Sequence, residues 1–344
     1  MAALTAILSA LVKVVRRELR TLLSVTLNNF FLVAAFLSYG SLQGGRPPFA
    51  AAPFFFLLAL FLLFPASGDP LDKIPQTTLS LWPLTAGQRA ALRMATFILS
   101  PVAAMGLLIV ITLRTWSAVL LAAGMICIRG MAFVGLRTKK RWPRLYPPRL
   151  VPALPTAFGR LFSLNLRQLL CLMDFYLTVV ISILGCCYRF LSLHPDPAAF
   201  PILAILVSLA SSTYSQSPFG MESRGSLMLY RVLPLRGWQV LLAKDAVYMT
   251  LVCVLTLPLN LAAGVTFSLA ALAIGRYPSL TKWTPQRRWR FASGDIRFGF
   301  AQIFLASAAA FSASQGDLWV IGAAVLGYVA SLMVGGWYWD RGSF

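Results

Sequence analysis

Acidic residues and histidine are scarce in this chain: 10 Asp and Glu and 1 His stand against 30 Lys and Arg in 344 residues. A hydrolytic triad needs an imidazole beside both a hydroxyl and a carboxylate. His194, expected in an outer loop, cannot supply that to groups on the inner side, and no Gly-x-Ser-x-Gly or His-Glu-x-x-His pattern occurs. Catalytic residues are therefore not expected. A Gly-x-x-x-x-Gly-Lys-Ser/Thr stretch is also missing, so the chain has no loop with which to cradle nucleotide phosphates. The five cysteines (127, 171, 186, 187 and 253) fall in apolar segments without metal-ligand spacing, which leaves no metal site to expect. Charged residues make up 12%, against about 25% in a soluble domain. That is too little polar surface to cover a water-soluble globule.

What is abundant is apolar: 58% of residues are hydrophobic and the mean hydropathy is +0.76. Ten candidate membrane spans can be read, near 22–40, 50–66, 94–113, 115–135, 169–188, 200–216, 245–260, 262–276, 298–314 and 318–338. The boundary at Pro258–Asn260 admits two helices, one kinked helix or a re-entrant pair. Loops between spans alternate in basic content. Residues 13–20, 137–149, 224–244 and 276–297 hold most of the Lys and Arg, while Arg46, Arg114 and Arg189 fall on the sparse side. Lys and Arg are kept cytoplasmic, so both termini are expected inside. The fold class expected is all-α: a polytopic helical membrane protein of about ten transmembrane helices in a plasma (inner) membrane. The net charge of +20 sits in loops that border apolar runs. Anionic lipid headgroups explain it better than nucleic acid does. At the N-terminus the apolar stretch precedes the bases, the reverse of a secretory signal. Residues 4–23 read instead as an amphipathic helix on the inner surface.

Two related halves are suggested by an internal repeat. RELRTLL at 17–23 resembles RQLLCLM at 167–173, and PLTAGQRAALR at 83–93 resembles PLRGWQVLLAK at 234–244. In the second pair Pro83 matches Pro234, Leu84 matches Leu235, Gln88 matches Gln239 and Arg93 matches Lys244. The organisation expected is a first membrane unit over 1–136, a basic cytoplasmic linker over 137–160 and a second unit of about six spans over 161–344.

The most specific segment is the basic loop at 217–244. It runs Phe219-Gly220, then Glu222, Gly225, a short apolar stretch, Pro234-Leu235, Gln239 and Lys244. This order resembles the loop between the second and third helices of type-two ABC permeases, the membrane subunits of ABC exporters. The likeness is clearest over about 160–275. It is weaker over 15–135, where the Pro-Leu turn of Pro83, Leu84, Gln88 and Arg93 lacks the Phe-Gly-acidic start. The resemblance implies a permease with no ATP site of its own, docked on a separate ABC ATPase, two copies of which are expected. The loop would act as a coupling helix, and a homodimer of the chain is one arrangement open to it. In residue terms, Gly220 and Gly225 suit tight turns and Pro234 a rigid corner. Leu227, Met228, Tyr230, Arg231 and Leu233 suit an amphipathic helix in an ATPase groove, and Glu222 a partner base or a helix cap.

Charges at membrane depth are candidates for function. Asp174 is the clearest, with a snorkelling pair to Arg167 or another inner base as the simpler reading. Asn28 and Asn29, with Asn260 and Gln302, could line a substrate path or bond between helices. Lys244 and Asp245 are read as opening a span. An ion-coupled carrier or a structural subunit of a membrane complex are the alternatives; the carrier would want acidic residues deep in the bundle, and these are few.

Overall fold

The computed structural model describes Lys13, Thr85, Gly87, Gln88 and residues 151–341, apart from 153, 223–226, 228–229, 231–234, 287 and 289–290. These fall almost wholly in the second of two compact units, the one that takes in Leu145–Phe344. The spans expected before residue 136, residues 137–150 of the linker expected over 137–160, and Asn28, Asn29, Pro83, Leu84, Arg93, Gly225 and Pro234 lie outside the described residues.

Among the described residues there are helices and no strands. The order is α1 Ala157–Leu169, α2 Met173–Leu191, α3 Ala199–Ser211, α4 Thr213–Gln216, α5 Gly237–Thr256, α6 Leu261–Thr281, α7 Ile296–Ala301, a π-helical turn Gln302–Ala306, α8 Ser307–Ser314 and α9 Leu318–Asp340. Six of the resulting rods are long and apolar enough to cross a membrane: α2, α3 with α4, α5, α6, α7 through α8, and α9. The protein is thus a multi-pass helical membrane protein. The order of the rods is the one the hydropathy of the second half predicts.

Local chemistry sets the ends. Thr156 Oγ1 accepts the Gly159 N–H at 2.9 Å and so caps α1. The uncertain boundary near Pro258 resolves into two helices, since α5 ends at Thr256 and Asn260 Oδ1 caps α6 by accepting the Ala263 N–H at 2.9 Å. Arg189, the base on the sparse side, reaches across this turn. Its Nη1 donates to the carbonyls of Pro258 and, at 3.2 Å, Leu259. It thereby satisfies acceptors that the end of α5 would leave bare.

Short turns join α2 to α3, α5 to α6 and α8 to α9 at one end of the bundle. The described residues of 217–236 and 282–295 lie at the other end, with the last turn of α9. There Gly237 N–H donates to Asp340 Oδ1 at 2.7 Å, tying the first turn of α5 to the end of α9. α6 is central, its Phe267, Ala271 and Leu272 fully or nearly fully buried. Among the described rods α9 is the least buried, with Leu318, Trp319, Leu326, Met333, Val334 and Trp337 exposed as lipid-facing side chains would be.

Candidate functional site

Five charged side chains, Asp174, Glu222, Lys244, Asp245 and Arg276, are buried at the end of the bundle that carries the long segments. α5 contributes two in succession. Gly237 opens this helix because Gln239 Oε1 accepts the Arg236 N–H at 3.0 Å and closes its first turn. Lys244 and Asp245 consequently stand two turns inside the helix. They do not open the span as the sequence suggests; the helix begins seven residues before Lys244, at Gly237.

Lys244 is fully buried and turns toward the 217–236 segment. Its Nζ donates to Glu222 Oε1 at 2.7 Å, to the Pro218 carbonyl at 2.9 Å and to Asn165 Oδ1 of α1 at 2.9 Å. The ammonium also lies 4.6 Å from the centre of the Phe219 ring and 5.8 Å from that of Tyr230. Glu222 Oε1 further accepts the Tyr230 hydroxyl at 2.8 Å. Burial pushes the Tyr230 phenol above its ordinary value and the Glu222 carboxylate raises it further, so it stays a donor. On sequence alone Glu222 is offered a partner's base or a helix start. It instead pairs within the chain, and Tyr230 lies against the same core as Leu227 and Leu235 rather than open to a groove.

Phe219 stacks on Trp339 of α9, ring centres 4.7 Å apart. Gly220 is required for a reason other than a tight turn. A Cβ there would lie 2.5 Å from the Thr284 carbonyl and against Gln286 Cγ. Its own carbonyl accepts the Gln286 N–H at 2.7 Å. The glycine thus admits the 282–295 strap. That strap is cross-braced where Gln286 Oε1 accepts the Ser293 N–H at 2.9 Å, Gln286 Nε2 donates to the Ser293 carbonyl at 2.8 Å and Lys282 Nζ meets Asp295 Oδ2 at 2.6 Å.

Asp174 anchors the strap. It is buried in the first turn of α2, and its Oδ2 accepts the Ala292 N–H at 2.6 Å. The expected pair with Arg167 does not form: Arg167 Nη2 donates to the Val151 carbonyl at 2.7 Å. Neither the strap nor its 118-residue separation from Asp174 carries a sequence signal.

A second buried ion pair faces the bundle. Asp245 receives Arg276 of α6 in a fork, Nη2 on Oδ2 and Nη1 on Oδ1 at 3.4 Å. The Tyr328 hydroxyl of α9 donates to Asp245 Oδ2 at 3.1 Å. Sequence reading missed this trio because the span was ended at Arg276, although α6 continues to Thr281. The usable signal was the adjacency of Lys244 and Asp245 in an apolar run. Asn260 caps a helix, and Gln302 lies in a buried amide cluster between spans. Among the described residues no group of His, Cys, Asp and Glu could hold a metal ion.

The two copies of the Pro-Leu motif share one local device. Gln88 Oε1 accepts the Thr85 N–H at 3.0 Å, as Gln239 does for Arg236, and Thr85 Oγ1 returns the bond from Gln88 N–H at 3.3 Å. In comparison with known proteins, no family model matches this chain, and no curated protein or solved structure matches it either.

Proposed function

We propose that this chain is the membrane-spanning permease of an ATP-driven exporter, of the type-two ABC kind, worked by a separate ATPase that docks on the 217–236 segment and on the related stretch around 83–93. One observation supports the reading above the rest: the 217–236 segment is fastened to the bundle at three points. Glu222 is held by Lys244 of α5, Phe219 by Trp339 of α9 and Gly220 by the strap. A push on this segment is carried to α5. From there the neighbouring Asp245 passes it to α6 and α9 through Arg276 and Tyr328. A segment merely lying on headgroups needs no such fastening, since an interfacial helix is held by its apolar face and lipid charge.

In this reading the segment lies on the cytoplasmic side of a plasma (inner) membrane, as the excess of Lys and Arg at its end of the bundle requires. ATP is bound and hydrolysed by the partner, two copies per assembly, and this chain supplies the path. The test is recovery of a partner. A tagged chain purified in mild detergent is expected to bring down a protein with a phosphate-binding loop and ATPase activity. Recovery of the chain with lipid alone, or labelling of an Arg236→Cys variant from outside intact cells, would overturn the proposal.

A further inference from the structure

The rod that begins at Ile296 is not one helix. α7 gives way at Gln302 to a single π turn, and α8 resumes at Ser307. A π turn holds one residue more than the α-helix it interrupts and is frequently found at functional sites. Gln302, the first residue of this turn, is fully buried, and its amide is completely satisfied. Nε2 donates to Ser215 Oγ at 2.7 Å and to the Ala271 carbonyl of α6 at 2.8 Å, while Oε1 accepts from Gln216 Nε2 at 2.7 Å. Gln216 in turn accepts, at its Oε1, the Asp295 N–H at 2.9 Å. One amide therefore grips the rod both at its entry and seven residues on, at the start of the π turn.

The backbones are shaped for this grip. A Cβ on Gly275 would lie 2.8 Å from the Ser215 carbonyl, and one on Gly294 would lie 2.5 Å from Gln216 Oε1. On the opposite side the π turn presents Phe304 and Leu305, both more than half exposed. The extra residue is held from one side only. Gln216 is also the last residue of α4, directly before the 217–236 segment.

We infer that the π turn is a register joint, closed by the Gln216–Gln302 clasp. When the clasp opens, the extra residue is free to move along the rod, and the residues it passes turn by roughly 100°, the rotation of one residue in an α-helix. α8 would then change its face toward α6 while α7 keeps its place. The joint does not rest on ATPase docking, since it follows from contacts within the chain whatever moves its end.

Hydrogen–deuterium exchange of the purified full chain in detergent tests it. In the unaltered protein, amides of 303–307 are expected to exchange faster than those of α6 and of the later turns of α8. Equal protection along the whole rod would overturn the inference. Gln302→Leu keeps the bulk and loses the bonds; exchange over 300–308 should rise about tenfold, on the scale of one buried hydrogen bond lost. Gln216→Leu should give the same local pattern, and the double variant no more than either alone. A uniform rise across all rods would reduce Gln302 to a packing residue and sink the proposal. Should Gln302→Leu not fold, Gln216→Leu and the unaltered protein decide alone. Deletion of Ile303, which restores an α-helical count, should slow exchange below the unaltered protein, and faster exchange there would also count against it.

Discussion

Glu222 and Lys244 form a pair in which each charge is tolerable only because of the other. Removing one partner of a buried ion pair costs about 3–5 kcal/mol, because the survivor is left charged and dry, whereas removing both charges together is far cheaper. Lys244→Met should therefore lower stability in detergent by about that amount, and adding Glu222→Gln should recover most of the loss. Thermal unfolding of the two single variants and the double variant checks this; additive losses would show that the charges act separately. The Asp174 carboxylate obeys a milder rule, since it serves a backbone N–H. Asp174→Asn keeps an acceptor oxygen for Ala292 and should be nearly silent. Asp174→Ala should cost about 1–3 kcal/mol, the penalty of a buried donor left unmade.

At the scale of helices, the close approach of α6 to α4 makes glycine a matter of space. Gly275→Ala would place a methyl against the Ser215 side chain and 2.8 Å from its backbone carbonyl. It should destabilise by about 1–3 kcal/mol, the range for overpacking. Gly322→Ala on the lipid-facing side of α9 meets nothing within 4 Å. There the gain in helix propensity should raise stability slightly. A matched pair of thermal melts separates the two cases. These rods were legible as rods, because a run of apolar residues near 20 is a strong signal. Their ends were not. Lys244, Asp245 and Arg276 look like borders to any count of charge against hydrophobicity, yet the helices continue past them because each charge finds an opposite one inside. Phe219, Gly220 and Glu222 were legible as a motif, but their reason was not: a glycine that admits a strap and a glycine that turns a corner look alike in sequence. The strap itself is polar, irregular and short, and what fixes it is a set of bonds to residues far away in the chain.

For the molecule as a whole, acid should loosen the strap before the bundle. Asp295 is held below its ordinary carboxylate value of 3.8, first by the hydrogen bond from Lys282, then by the Arg297 N–H and nearby charge, against some desolvation. A carboxylate depressed in the folded state contributes stability above its unfolded pKa and loses it as pH falls through the folded one. The window lies below pH 3.8. Limited proteolysis of 282–295 should accelerate there, while Lys282→Met should already be cut faster at neutral pH and change less on acidification. Because Lys282 of the pair is open to solvent, the effect should also weaken in high salt.

The Asp245–Arg276 fork also constrains how the protein is made. Glu222 leaves the ribosome 22 residues ahead of Lys244, so that ammonium enters the bilayer with its counter-ion already at hand. Asp245 has no such escort, for Arg276 follows it by 31 residues. At about 5–20 residues per second that is a wait of about 2–6 s. Until α6 arrives, the carboxylate has only the neighbouring ammonium to offset it. Translation slowed between these two codons would prolong the interval in which α5 is poorly suited to lipid.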